Sequence, residues 1–139
     1  MTKDFEYLEH TADIGVIAYG DDLRQLFRNA ARGLFSIIVE LNDIESKERI
    51  EIEVTAPDRE ALLVNWLNEL IYIVDAKGLL LKDFDIAELT ETRIKAKGYG
   101  EKIDIEKHHL KTQVKAATYH QLKIEQKSDG WRAQVIFDI

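Results

Sequence analysis

Two acidic positions near opposite ends of the sequence carry the residue types that bind a hard cation. Asp13 lies between two apolar stretches, three residues after His10, and Asp138 directly precedes Ile139. The Asp138 side chain and the Ile139 carboxylate place two anionic groups within one residue of each other. If the fold brought Asp13 to this end, three anionic groups would converge, which is costly unless a cation neutralises them. Carboxylate oxygens are the ligands that Ca²⁺ and Mg²⁺ prefer.

Each of these groups also has an ordinary structural interpretation. Asp13 could cap a turn by accepting backbone amides, with His10 packed nearby. Asp138 and the chain end could be two solvated charges at the end of a strand, because last residues commonly fray. The residue types alone leave both interpretations open.

A second group of polar residues lies in the last third of the chain. If residues 101–109 form a short helix, Glu101, Asp104 and His108 share one face at spacings of three and seven residues. Two carboxylates and an imidazole can bind a transition metal or act as general acid and base, but a charged helix face is commonly only solvated. His120, on a predicted strand, is a further candidate, and its ordinary alternative is a hydrogen-bonded structural histidine.

The composition excludes several classes of chemistry. Cysteine is absent, which removes disulfides, thiol catalysis, cysteine-type zinc sites and iron–sulfur clusters. The sequence has no Gly-x-x-x-x-Gly-Lys, Gly-x-Gly-x-x-Gly, His-Glu-x-x-His or Gly-x-Ser-x-Gly motif. It also has no run of about 18 uncharged apolar residues and no apolar stretch typical of a secretory signal. We therefore expect a cytoplasmic protein that does not contact a membrane.

The charge distribution argues against a domain that binds nucleic acid by itself. The chain has 19 Lys and Arg against 26 Asp and Glu, a formal net charge of −7, whereas domains that bind nucleic acid are usually basic. Residues 1–96 carry 11 basic and 20 acidic groups, and residues 97–139 carry 8 and 6. We expect weak or no direct nucleic-acid binding, with any anion contact in the C-terminal third. The acidic part suits a cation or a basic protein partner.

Hydrophobic spacing predicts the elements that must position these residues. Strands are predicted at 5–8, 14–19, 49–55, 79–89, 93–98, 114–126 and 131–139, and amphipathic helices at about 22–39 and from Pro57-Asp58 to Lys77-Gly78. The last two strands form a hairpin across Ser128-Asp129-Gly130. This order predicts one α+β domain over residues 1–139, with a largely antiparallel or mixed β-sheet whose faces are covered by two helices.

Four motifs, taken together and in order, resemble the archease family. They are His10-Thr-Ala-Asp-Ile-Gly15, Gly100-Glu-Lys-Ile-Asp104 with His108, Val114-Lys-Ala-Ala-Thr-Tyr-His120, and the ending Gly130-Trp-Arg-Ala-Gln-Val-Ile-Phe-Asp-Ile139. The resemblance runs from near residue 5 to the last residue.

The resemblance implies a function. Archeases assist the tRNA-splicing RNA ligase, which uses GTP and a divalent metal to join exon ends. They are thought to promote guanylylation of the ligase's histidine and repeated turnover, without being ligases themselves. Some members are chaperone-like modulators of a tRNA cytosine methyltransferase. The family's calcium-type site maps onto Asp13, Asp138 and Ile139, which implies Ca²⁺, with Mg²⁺ or Mn²⁺ as alternatives.

The other motif positions have less defined roles in the family. We assign to a candidate functional or partner-binding surface His10, Glu101, Lys102, Asp104, His108 and His120. The carboxylates also leave open a different class of function, a metal-dependent hydrolase acting in its own right. The more basic C-terminal third leaves open an RNA-binding adapter.

Overall fold

The secondary structure follows the order that the sequence predicts. A computed structural model describes residues 3–9 and 13–139 of the chain, so His10 lies outside the described residues. The elements are β1 (Phe5–Glu9), β2 (Asp13–Gly20), α1 (Leu23–Ile38), a 3-10 turn (Leu41–Asp43), β3 (Glu48–Thr55), α2 (Arg59–Lys77), β4 (Leu79–Leu89), β5 (Arg93–Lys102), β6 (Ala116–Lys127) and β7 (Gly130–Asp138). The predicted α+β class is confirmed.

The strands divide between two antiparallel sheets rather than forming one. The first sheet has the order β1-β2-β7-β6 and the second the order β3-β5-β4. Each helix contacts strands of both sheets, α1 mainly through β2 and β4, and α2 through β6 and β3. The hydrophobic core therefore contains residues of both helices and both sheets.

Local capping signals determine three of the four helix ends. Asp22 accepts a hydrogen bond from the Gln25 N–H, and Asp58 accepts one from the Ala61 N–H, each at 2.8 Å. These bonds satisfy N–H groups that have no partner within the first turn of a helix. At the end of α2, Gly78 adopts φ 62°, a left-handed conformation that glycine reaches without steric cost.

The C-terminal end of α1 is completed by a segment from far along the chain. The backbone N–H groups of Lys111 and Thr112 donate to the carbonyls of Ile38 and Ile37 at 2.8 and 3.2 Å, and Lys111 Nζ donates to the Ser36 carbonyl at 3.0 Å. The last carbonyls of a helix have no donor within the helix. These bonds therefore hold residues 103–115, which we call the connector because they join β5 to β6, against α1.

Helix α2 is buried on more sides than its apolar spacing predicts. Its buried residues include the predicted Leu63, Trp66, Leu67, Leu70 and Ile71, and also Leu62, Val64 and Ile73. The additional burial follows from the contacts of α2 with both sheets. Among the described residues, neither helix combines the length and apolar character that crossing a membrane requires.

The fully buried Trp66 ring makes α2 the expected centre of stability. Its indole N–H donates to the Phe27 carbonyl at 3.1 Å, which links α2 to α1. We predict that Trp66→Ala lowers the free energy of unfolding by about 3–5 kcal/mol, because a large cavity forms in the core. Tyr72→Ala on the same helix removes a ring that is 56% exposed and should cost under about 0.5 kcal/mol. Similar losses in urea titrations of the two variants would contradict this account of the core.

Candidate functional site

Strands β2 and β7 bring two of the predicted ligands side by side. In their antiparallel pairing Asp13 lies directly opposite Asp138, and the register continues without a shift to Gly20 opposite Trp131. Directly opposed residues project to the same face, with Cβ atoms about 4.5–5.5 Å apart. At that separation two carboxylates are within reach of a single ion.

The paired carboxylates differ in their exposure to solvent. Asp13 is half-buried, and its Oδ1 atom is shielded from water, whereas Asp138 is exposed. Like charges directly opposite each other destabilise a sheet. A cation between the two groups would convert this repulsion into attraction.

The end of β7 is fixed on both of its edges. Asp138 pairs with Asp13 of β2 on one side and with Ala116 of β6 on the other, and the Asp138 carbonyl accepts the Lys115 N–H at 2.8 Å. Ile139 follows directly, and its half-buried side chain packs against the hydrophobic core. The backbone of β7 is therefore paired up to Asp138 rather than frayed, and the exposed Asp138 side chain fits both the predicted ion ligand and the alternative of a solvated charge.

The donors at this end suit a hard cation. Among residues 3–9 and 13–139, no group of three or more His, Cys, Asp and Glu side chains is arranged to hold a metal ion. The ligands proposed here are instead the Asp13 and Asp138 carboxylates with the carboxylate of Ile139, all of them oxygen donors of the kind that Ca²⁺ prefers. The assignment of an ion to this position stays a prediction.

Glu101 and His108 also meet, although residues 101–109 do not form the short helix on which their shared face was conditional. Strand β5 continues through Lys102 because Leu79 and Leu80 of β4 pair with Lys102 and Glu101. A turn then returns the chain, so that His108 Nε2 lies 2.9 Å from Glu101 Oε2. His108 Nδ1 accepts the backbone N–H of Asp104 at 2.9 Å. Because Nδ1 is an acceptor, Nε2 carries the ring proton and donates a hydrogen bond to the Glu101 carboxylate.

Glu101 is the buried centre of an ionic cluster. Its side chain is 7% exposed and accepts hydrogen bonds from Lys107 Nζ, at 2.8–2.9 Å, and from the Glu45 N–H, at 2.7 Å. The bonds from Lys107, the Glu45 N–H and His108 together lower the pKa of Glu101 to about 2. Lys107 also binds the Glu45 carboxylate at 2.6 Å. The cluster thus ties the connector to the segment before β3, and Glu101 stays ionised rather than acting as a general acid.

Of the remaining candidates, Lys102 and Asp104 are exposed beside the Glu101 cluster, and His120 is exposed on β6. Lys102 ends β5, and Asp104 lies in the following turn, where its carboxylate accepts the Glu106 N–H at 3.0 Å. His120 lies on β6 where the pairing with β7 shifts register, next to Gln121 with φ 53°. His120 is exposed, and its interpretation as a hydrogen-bonded structural histidine stays a prediction.

The structure also contains a cavity that the sequence did not predict. An apolar space of about 190 Å³ lies between the ends of the two helices and the connector. Its apolar lining consists of Ile38, Ile71, Val74, Ile103, Leu110 and Val114. These residues come from separate segments of the chain, so no local pattern could have indicated the cavity.

Known proteins share this architecture over its whole length. The solution structure of protein 1598 of Methanobacterium thermoautotrophicum superposes with a TM-score of 0.82 at 34% identity, covering 99% of this chain and 100% of that one. A crystal structure from Thermotoga maritima, described as an archease and possible chaperone, has a TM-score of 0.68 at 26% identity, with coverage of 100% and 98%. The class is therefore an α+β protein with the archease architecture.

Sequence relatives define the family. Protein archease of Pyrococcus abyssi is 50% identical, with 99% of each chain covered. Protein archease of Methanosarcina acetivorans is 42% identical, covering 99% of this chain and 97% of that relative. The model of the archease protein family (MTH1598/TM1083) matches residues 5–139, and the chain belongs to this family.

The Glu101 cluster predicts a defined dependence of stability on pH. Glu101→Gln should lower the urea midpoint at pH 7, because a neutral amide loses the ionic bonds to Lys107. The pKa of Glu101 falls on folding from its usual 4.5 to about 2, so the carboxylate stabilises the fold above pH 4.5 and loses this effect as pH falls towards 2. The midpoints of wild type and variant should therefore converge in acid. As a control, Glu106→Gln in the same turn should change the urea midpoint little. If the midpoint difference between wild type and Glu101→Gln stays constant between pH 7 and 3, the stabilising role of the ionised Glu101 carboxylate is wrong.

Proposed function

We propose that this protein is a cytoplasmic, non-catalytic activator of the GTP-dependent tRNA-splicing RNA ligase, and that it promotes guanylylation and repeated turnover of that enzyme. We further propose that activation depends on a divalent cation, in the first place Ca²⁺, held by Asp13, Asp138 and the carboxylate of Ile139. The observation that supports the proposed ion site is the direct opposition of Asp13 and Asp138 in the sheet. Membership of the archease family supports the proposed activation of the ligase.

The main chain around the two carboxylates supports an ion-binding role. When bound, the ion would supply positive charge between the Asp13 and Asp138 carboxylates. Asp138 cannot move away easily, since β2 and β6 hold β7 from both sides. A pair of donors fixed in this way loses little conformational freedom on binding, which favours affinity.

The charge of the protein supports docking to the ligase rather than to RNA. With a formal net charge of −7 the chain repels polyanions on average. The same charge attracts the basic surface of an enzyme that binds nucleic acid. We therefore propose a protein–protein contact with weak or no direct binding of nucleic acid.

A second candidate function is a chaperone-like action on a tRNA cytosine methyltransferase. The observation that favours it is the description of the Thermotoga maritima relative as a possible chaperone. Co-purification with the methyltransferase, together with an unchanged ligase reaction, would support this alternative.

A metal-dependent hydrolase is the less favoured third alternative. Turnover of phosphoester substrates by the isolated protein with Mg²⁺ or Mn²⁺ would support it.

A reconstituted ligase reaction tests the proposed function. Substoichiometric amounts of the wild-type protein should increase both guanylylation of the ligase and its number of turnovers. Asp13→Ala should reduce this activation at least about tenfold, because removing even an outer-shell partner of a metal ligand typically costs 10–100-fold in affinity or activity. Asp129→Ala, an exposed aspartate in the β6–β7 turn, is the matched control and should activate normally. If the wild-type protein leaves guanylylation and turnover unchanged, the proposal is wrong.

Thermal unfolding tests the ion independently of the ligase. An ion that binds only the folded state adds about 2.7 kcal/mol of stability at a hundredfold excess over its dissociation constant. We expect calcium to raise the melting midpoint, a chelator to remove the increase, and Asp138→Asn to abolish it. The Asp129→Asn control should keep the full response. A wild-type midpoint that responds to neither calcium, magnesium nor manganese would exclude a functional cation at this position.

A further inference from the structure

One asparagine of α2 binds the backbone of the strand beside the proposed ion site. Asn68 Oδ1 accepts the Ala117 N–H at 2.8 Å, and Asn68 Nδ2 donates to the Ala117 carbonyl at 3.2 Å. Asparagine is a weak helix former, because its short polar side chain competes with the helix backbone for hydrogen bonds. The middle of α2 is thus an unfavourable position for this residue type, and the paired bonds to Ala117 are what its amide contributes there.

The two bonds replace those of a neighbouring strand. β6 is the last strand of the first sheet, and Ala117 pairs with Phe137 of β7. A strand at the edge of a sheet has backbone N–H and carbonyl groups that its neighbouring strand does not bind. At Ala117 both groups are bound by the Asn68 amide. Asn68 thereby ties the outer edge of β6 to α2.

The part of β6 that supports Asp138 is short and separated from the rest of the strand. Residues 116–118 pair with residues 136–138 of β7, and the pairing resumes only where Lys123 meets Gln134. Such an irregularity disrupts the hydrogen-bond ladder locally. A ladder of three residue pairs fixes a strand weakly by itself, because each cross-strand pair contributes little. Other attachments of residues 116–118 therefore determine how firmly β7 is held at Asp138.

Two side chains provide such attachments. One is Asn68, and the other is Thr118, whose hydroxyl donates to the Ile136 carbonyl at 2.8 Å. Thr118 joins β6 to β7 and leaves the pair of strands free to move together. Asn68 instead joins β6 to a helix in which the adjacent Leu67 and the nearby Leu70 are fully buried. Of the two attachments, Asn68 is the one that anchors the end of β7 to the hydrophobic core.

We propose that Asn68 is a positioning residue of the ion site. Its amide holds residues 116–118, and through them the main chain at Asp138, where the Asp13 and Asp138 carboxylates can bind one ion. This inference rests on the proposed function, which makes these carboxylates the ligands. Metal ligands depend on outer partners of this kind, because they must be held close to the binding geometry.

The path from Asn68 to Asp138 runs through adjacent main-chain groups. Ala116, next to Ala117, pairs with Asp138, and the Lys115 N–H donates to the Asp138 carbonyl at 2.8 Å. Loss of the Asn68 amide leaves the Ala117 N–H and carbonyl without these bonds and loosens the start of β6. The Asp138 main chain then loses part of the support that fixes its side chain opposite Asp13.

Asn65 provides a matched control on the same helix. Its Nδ2 donates to the Thr55 carbonyl at 3.2 Å, so it also joins α2 to the backbone of a strand, but that strand is β3 of the second sheet. Asn65→Ala and Asn68→Ala make the same chemical change three residues apart. Of the two, only Asn68→Ala removes a contact with the part of the first sheet that contains Asp138.

Calorimetric titration of each full-length protein with calcium chloride tests the proposal, at a temperature where circular dichroism shows that all of them are folded. We expect Asn68→Ala to raise the Kd for calcium about tenfold, the lower end of the range for outer partners of metal ligands. Asn65→Ala should stay within about twofold of wild type. A lower melting midpoint is expected for both variants, so the Kd decides between positioning and general stabilisation.

Amide hydrogen exchange shows where each variant loosens the structure. In Asn68→Ala, the N–H of Lys115 should exchange faster by a larger factor than the amides of β4 and β5. In Asn65→Ala, the Lys115 N–H should exchange as in wild type. A uniform increase throughout Asn68→Ala would indicate a general loss of stability and would contradict a positioning role.

The possible failures are distinguishable. If wild type binds calcium and Asn68→Ala binds it within about twofold of wild type, the positioning role is wrong and the proposed function stands. If wild type binds no calcium, the proposed ion site is wrong and the positioning role is wrong with it. If Asn68→Ala does not fold, Asn68→Gln replaces it, because its longer side chain displaces the amide from Ala117. The same rise in Kd is then expected, and an unchanged Kd would overturn the proposal.

Discussion

The antiparallel pairing of β2 with β7 is the constraint on which the candidate site depends. Val16 and Ala18 of β2 pack in the core opposite Val135 and Ala133 of β7, so the register is set by buried side chains. A slip of one residue would turn these apolar side chains away from the core. The same register, followed to the end of the strands, places Asp13 against Asp138. The opposition of two like charges is thus imposed by packing elsewhere in the sheet, and an ion offers a way to relieve it.

The connector links this end of the first sheet to the rest of the molecule. Its backbone caps α1 through Lys111 and Thr112, and its final residue, Lys115, binds the carbonyl of Asp138. Its beginning is held by the buried Glu101 cluster at the end of β5. One segment therefore forms a wall of the apolar cavity and also supports the strand that carries a proposed ion ligand.

Local signals in the sequence predict much of the fold, and non-local contacts explain what they miss. Helix starts and the glycine end of α2 follow from Asp22, Asp58 and Gly78, because caps act within one turn. The helical spacing of Glu101 and His108 was misleading, because pairing with β4 extends the strand and a turn then brings the two side chains together. The opposition of Asp13 and Asp138 depends on pairing between strands that are distant in the sequence. Residue types alone could not predict that the two side chains meet, and only the family resemblance implied a shared site.

The most direct measurement of the proposed ion site is a crystal structure of the wild-type protein grown with saturating calcium. We predict an ion between the Asp13 and Asp138 carboxylates, with oxygen distances of about 2.3–2.6 Å and an oxygen of Ile139 among its ligands. Distances of about 2.0–2.1 Å in crystals grown with magnesium would identify that ion as an alternative occupant. Carboxylates that point apart, with no ion between them at saturating calcium, would contradict the account.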